Sequence, residues 1–278
     1  MKKIKFGTIV RYTLLAIGGI IMIFPFIWML ISSLKTWAEC GSMPPTWWPK
    51  DPTFENYVYA FKTAPFLKYF RNSLIVTVVC TSITMINTIL CAFTFSRLKF
   101  PGRDLIFSIM VSLMMIPYEM LIITNYTTIV KLKLYDTLAA LIIPFTSSIF
   151  YTYILRNFFL SIPDSLYYSA RIDGASNWQY LWEVMVPIAK PSLVTIGLLN
   201  ALTCWNSFMW SILVVGSVEN RTLPFGLFAF TDQAGVRFER LMAGSSIVVI
   251  PVIILFLFCR KQIVTGVSKG GLKATLSV

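Results

Sequence analysis

Six stretches of this chain run for 19 to 28 residues with a single charged side chain among them, and this feature decides most of what the chain can fold into. They cover residues 12–34, 72–96, 105–130, 137–155, 191–218 and 241–259, and the one charge is Glu119. About 20 residues at 1.5 Å each cross the roughly 30 Å of hydrocarbon in a bilayer. The composition agrees. Apolar types make up 56% of the chain and charged types 13%, with mean hydropathy +0.73, whereas a soluble domain carries about 25% charge. Too little polar side chain exists to clothe a water-soluble globule.

The stretches lack the strict alternation of barrel strands, so the fold expected is all-α: a polytopic membrane protein with six transmembrane helices. The first follows Met1-Lys-Lys-Ile-Lys5. Its apolar run is too long for a secretory signal, and no small-residue cleavage site follows, so it reads as an uncleaved helix. Six crossings place both termini on one side. With the N-terminus inside, inner segments hold 14 Lys and Arg residues against 10 outside. The excess is clearest in the tails and in the short turn Arg97-Leu-Lys-Phe-Pro-Gly-Arg103, and it sets both termini in the cytoplasm. Pro25, Pro117, Pro144 and Pro251 punctuate the runs and are expected to kink helices. The chain divides into residues 1–70 (first helix and external loop), 71–262 (transmembrane core with a cytoplasmic loop near 161–190) and 263–278 (a cytoplasmic tail).

Much chemistry is excluded. There is no histidine, so His-based acid–base catalysis and His metal ligands are ruled out. The five cysteines form no CxxC pair, which speaks against a disulfide framework or a zinc site. No phosphate-binding loop of the GxxxxGK[ST] type occurs. The net charge of +12 sits at the borders of apolar runs, as membrane flanks do, so no nucleic-acid partner is expected. Ion-coupled carriers use several polar sites within the membrane, and only Glu119 lies deep in a run. The reading is a non-enzyme, with no catalytic, metal-binding or cofactor-binding residue, and energy that arrives through a partner.

The longest inner loop carries the most information. Ser161 or Ile162 precedes a helix with Pro163 in its first turn and Asp164 near its positive end. Asp173-Gly174 is a turn signal. Ser176 and Gln179 form a capping box that starts a second helix, which Pro187 and Pro191 are expected to close. Small residues at Ser169, Ala170, Gly174 and Ala175 leave two readings open: an amphipathic connector, or an element that docks in another protein's groove.

This loop resembles the signature of binding-protein-dependent ABC importer permeases, in which E-A-A is followed after three residues by Gly and later by a hydrophobic-x-Pro. Ala170-Arg-Ile-Asp-Gly-Ala-Ser176 and Val186-Pro187 carry the match. The whole chain resembles the smaller permease subunit of the maltose-transporter family. Phe54-Glu-Asn-Tyr57, Arg71-Asn-Ser73, Phe95-Ser-Arg97, Met115-Ile-Pro117, Trp205-Asn206, Thr222-Leu-Pro-Phe-Gly226 and Met242-Ala-Gly244 add to it. The family's acidic residue falls on Tyr168, and its first alanine on Ser169. The resemblance implies a type I ABC importer permease fold in a bacterial-type cell membrane. The implied partners are a second permease subunit, a pair of ATP-binding subunits that hold the ATP, and an extracellular or periplasmic sugar-binding protein. It also implies coupling to the ATPase through Tyr168, Ala170, Asp173, Gly174 and Ala175, and contact with the binding protein through Leu223, Pro224, Phe225 and Gly226 on an exposed outer loop.

Three residues are candidates for the substrate pathway. Glu119 at mid-span should face the pathway or a partner helix. Trp205 and Asn206, midway along the fifth run, offer a flat ring and an amide to a sugar, or serve helix packing. A sugar is the expected cargo. A glycerol phosphodiester or polyol-like solute is the alternative in the same class, and a channel or scaffold without an ATPase is the alternative from another class.

Overall fold

The computed structural model describes residues 6–232 and 235–274. Apolar runs in a bilayer must close their own backbone hydrogen bonds, and here they do so as helices. In chain order these are α1 (Phe6–Ser33), α2 (Trp37–Cys40), α3 (Glu55–Thr63), α4 (Phe66–Arg97), α5 (Arg103–Leu113), α6 (Tyr118–Lys131), α7 (Leu138–Ile142), α8 (Ile149–Leu160), α9 (Asp164–Ile172), α10 (Asn177–Gln179), α11 (Val186–Trp205), α12 (Phe208–Val214) and α13 (Phe238–Ala274). Apart from a two-residue antiparallel ribbon, Thr231–Asp232 with Gly235–Val236, the regular structure among the described residues is helical.

The expected spans are met in three ways. Segments Val10–Ser33, Phe66–Arg97 and Asn177–Trp205 are each long and apolar enough to cross a membrane unbroken. Two further runs are broken. Residues 105–130 divide into α5 and α6, which meet at 96°, and residues 137–155 divide at a 44° bend between Leu138–Phe145 and Ile149–Leu160. Pro117 sits at the first break, as its missing N–H group and fixed φ allow, and Pro144 lies in a 3-10 turn, Ile143–Phe145, just before the second. By this count the described residues hold up to five spans. The sixth run, 241–259, lies on the backbone of α13, but its last side chains fall outside the described residues, as does the end of the expected tail, 275–278.

The helix that Ser176 caps does not close at Pro187 or Pro191. After α10, a π-helical stretch Tyr180–Met185 leads straight into α11. Its wider i→i+5 spacing accommodates a proline ring and its absent donor within a continuous helix. The fifth run also ends early. α11 stops at Trp205, and α12 begins at Phe208.

The chain forms two compact units. In the one built, among the described residues, from 67–225 and 252–274, two apolar clusters hold the helices. In the first, Ile89, Ala92 and Phe93 of α4 meet Leu155 and Phe159 of α8, Tyr180, Leu181 and Met185 of the π turn, and Ala189, Leu193 and Ile196 of α11. In the second, Val76 of α4 and Ile129 of α6 meet Ala140 and Leu141 of α7 and Trp210 and Val214 of α12. Lipid is as apolar as these side chains, so close packing and hydrogen bonds hold such helices together rather than exclusion of water. In the other unit, formed among the described residues by 6–66 and 226–251, Asn56 donates from Nδ2 to the carbonyls of Ser33 and Lys35, both at 2.9 Å. Gly244 in α13 lies so close to residues 227–230 that a Cβ there would meet Phe230 Cε2 at 2.5 Å and Leu227 Cδ2 at 3.2 Å.

Candidate functional site

The signature loop folds as the local chemistry dictates. Asp164 places a negative charge in the first turn of α9, where the helix dipole favours it. Gly174 follows Asp173 with φ +82°, and the N–H of Ala175 donates to the carbonyl of Ala170 at 2.9 Å, the wrapping bond of a left-handed helix end. The expected capping box is present: Ser176 and Gln179 each accept from the other's backbone N–H, at 3.2 and 2.8 Å. Two bonds tie α9 to the turn it precedes. Tyr167 Oη donates to Asn177 Oδ1 at 3.0 Å, and Arg171 donates to the carbonyl of Ala175 at 2.9 Å. From the other side Arg97 reaches over the start of α9. It ion-pairs with Asp164 and donates to the carbonyls of Phe159 and Ile162 at 2.8 and 2.6 Å.

The residues expected to couple with a partner do not all face outward. Tyr168, Asp173 and Gly174 are exposed, while Ala170 and Ala175 are half-buried, and Ala170 packs against the chain's own core. The small-residue surface is therefore partly internal. The exposed apolar surface consists of residues that the spacing of small side chains did not single out: Ile172, 86% exposed, with Leu166 and Trp178. For Leu166 and Ile172 the signal was the run of helical i, i+3 steps along α9 through Ser169.

The pathway candidates separate. Glu119 lies in the first turn of α6, directly after the Pro117 break within the bent pair α5–α6, and it is exposed. Its neighbour Tyr118 lines a cavity, and Glu119 does not. Trp205 is buried against Phe70 in an edge-to-face pair with centroids 5.9 Å apart. It packs helices and does not line the cavity. Asn206 is exposed at the gap between α11 and α12 and does line it. This cavity of about 640 Å³ is walled by α11, α12 and the start of α8. Tyr118, Phe145 and Trp210 cluster on one side, with centroids 5.4 to 6.5 Å apart. Asn200 and Tyr151 line it as well, and neither was a candidate on sequence.

The stretch Thr222-Leu-Pro-Phe-Gly226 is buried, contrary to the exposed loop expected. The Leu223 N–H donates to Ser73 Oγ at 2.8 Å, and the Arg221 guanidinium lies over the Phe225 ring at 4.7 Å. Ser73 belongs to the Arg71-Asn-Ser73 motif, so two separated motifs meet here for a structural reason. Next to it, Asn72 donates to the carbonyls of Glu219 and Arg221 at 2.7 and 3.0 Å.

The loop between α6 and α7 is pinned at Asp136, which has φ +59°. One carboxylate oxygen accepts from the N–H groups of Gly216 and Ser217 and from the Ser217 hydroxyl, at 3.0–3.1 Å. Burial works against ionisation there, but these donors and Asn220 outweigh it and hold the carboxyl below the usual range.

Residues 85–269 match the family model described as "Binding-protein-dependent transport system inner membrane component". The chain is 31% identical to the arabinooligosaccharides transport system permease protein AraQ of Bacillus subtilis over 258 residues, covering 92% of each. It is 31% identical to the diacetylchitobiose uptake system permease protein DasC of Streptomyces coelicolor over 284 residues, covering 98% of this chain and 100% of that one. Among solved structures it is similar to a chain of a bacterial ABC transporter involved in the import of the acidic polysaccharide alginate. The TM-score is 0.80 at 25% identity, covering 94% of this chain and 99% of that one.

Proposed function

The chain belongs to the family of binding-protein-dependent transport system inner membrane components, and we propose that it is one permease subunit of an ATP-driven carbohydrate importer that takes its energy through α9. The observation that carries this reading is the asymmetry of α9. One side is fixed to its own chain by Arg97 and Tyr167, and the other presents Ile172, 86% exposed. An apolar side chain held out in this way on a rigid polar frame is suited to a partner's groove. The partner supplies ATP hydrolysis, and the chain itself catalyses nothing.

A helix held at both ends transmits a push. When the ATP-binding pair closes, α9 moves as a body. The continuous helix from Asn177 to Trp205 carries that motion from the cytoplasmic face to the cavity beside Asn206. Two discrete arrangements of such an element are what coupling between distant sites requires. The cytoplasmic placement of α9 and of both termini follows from the excess of inner basic residues. The carbohydrate assignment rests on the cargo named for the relatives and on a cavity that joins aromatic faces to amides. Residues 222–226, buried in this chain, are assigned to supporting the outer surface in place of contacting the binding protein.

The test is purification of the complex from its native membrane, followed by reconstitution in vesicles. An ATP-hydrolysing subunit should accompany the chain, and a sugar-loaded binding protein should accelerate hydrolysis. A complex without such a subunit overturns the reading.

A further inference from the structure

We propose that the cavity between α11 and α12 is a binding site for a neutral glycosyl ring held by this subunit, with Asn200 Nδ2 donating to a sugar oxygen. The proposal rests on the carbohydrate reading above and assigns this chain a part in cargo recognition in addition to forming one wall of a pathway.

Asn200 is only 5% exposed and lines the cavity, and its Nδ2 atom has no hydrogen-bond partner among the described residues. A buried amide donor left unmet costs about 1–3 kcal/mol, so buried donors are almost always met. A ligand oxygen in the cavity meets this one. Asn200 is not alone. Thr203 and Cys204 follow it at i+3 and i+4, a spacing that puts the three on one face of α11, and they line the cavity together with Ser207, which lies just past the helix end. Asn206 adds a second amide where α11 ends.

The opposite wall is aromatic. Trp210 Nε1 is already engaged by the carbonyl of Ala140 at 2.9 Å, so Trp210 offers the cavity its ring and not its donor. Flat apolar faces on one side, with amides and hydroxyls on the other, match a pyranose or furanose ring, which has C–H faces and an equatorial rim of hydroxyls. At about 640 Å³ the space lies within the roughly 300–1,000 Å³ of small-molecule sites. Among the described residues, no charged side chain lines it. A carboxylate, sulfonate or phosphate seated here would be buried without a counter-charge, at a cost that neutral cargo avoids. The site therefore selects uncharged sugars.

The experiment uses the complete transporter in vesicles, with its binding protein and a panel of neutral and uronic-acid oligosaccharides. Cys204 lies in the cavity and is free, so its alkylation by a small membrane-permeant maleimide, followed by peptide mass spectrometry, reports occupancy without any substitution. The imported sugar should be neutral and should slow Cys204 labelling about tenfold. Asn200→Leu should raise the KM for that sugar about tenfold, as loss of one buried hydrogen bond does. Import of a neutral sugar with unprotected Cys204 and an unchanged KM in Asn200→Leu would overturn the site and leave the carbohydrate reading standing. Protection by a uronic-acid oligosaccharide alone would overturn the neutral selectivity. Import of no saccharide would overturn the reading and the site together.

Discussion

Arg97 at the end of α4 and Asp164 at the start of α9 form an ion pair across 67 residues of sequence, and the two ends of the pair are unlike. The Arg97 side chain is 5% exposed, whereas that of Asp164 is 71% exposed. Arg97 also holds two carbonyls at the end of α8. The pair is thus less a surface salt bridge than a buried guanidinium that fixes where α9 leaves the core.

Substitutions should show this asymmetry. Asp164→Asn removes a mostly exposed charge, and exposed pairs contribute about 0–1 kcal/mol, so assembly should be nearly normal. Arg97→Met removes the donors to both carbonyls, which amounts to about 3 kcal/mol for hydrogen bonds to a charged group. The thermal midpoint of the purified complex should fall clearly for Arg97→Met and barely for Asp164→Asn. Equal falls would contradict the assignment.

Gly174 tests the turn without testing contact. A Cβ there would meet nothing within 4 Å in this chain, but φ is +82°. Gly174→Ala should therefore cost about 1 kcal/mol through backbone strain, and Gly174→Asn less, because Asn tolerates this region. ATP-driven uptake in the two variants should rank in that order.

Gly244 is the opposite case, where space decides. Phe230 Cε2 would lie 2.5 Å from an added Cβ, so Gly244→Val should destabilise by about 1–3 kcal/mol through overpacking. Phe230→Leu shortens the side chain at fault and should restore part of the loss when combined with it. Additive losses in a double-mutant cycle would rule out the contact.

Asp136 gives a pH prediction. Its carboxyl titrates below the ordinary range in the folded chain. Its contribution is therefore complete above about pH 4, near the unfolded value, and fades as pH falls through the lower folded value. Protection of the Gly216 and Ser217 amides from hydrogen exchange should be unchanged between pH 5 and 8 and should weaken only at more acid pH. Asp136→Ala should remove that protection at pH 7.

Local signals were legible in the sequence where they were sufficient. The Ser176–Gln179 box and the Asp173-Gly174 turn need only neighbours within a few residues, and the helices of the apolar runs need only the bilayer. The breaks were less legible. Apolar residues continue through Asn206 and Ser207, so composition does not mark the end of α11 there. Pro187 looked like a helix stop because the π turn that accommodates it depends on Tyr180, Leu181 and Met185 being buried against α4 and α8. The 222–226 stretch resembled an exposed turn because its partner, Ser73, lies 150 residues away. Asn200 was hidden in an apolar run, and only the helical step to Thr203 and Cys204 singles it out.

The central claim is that α9 presents Ile172 to an ATP-hydrolysing partner. The direct measurement is the amount of that partner recovered with the chain in detergent for Ile172→Asp, compared with Met43→Asp, a control 91% exposed in the loop between α2 and α3. Placing a carboxylate in a fitted apolar contact should lower recovery at least tenfold, while Met43→Asp stays at the level of the unsubstituted chain. Full recovery and normal ATP-driven uptake with Ile172→Asp would contradict the account.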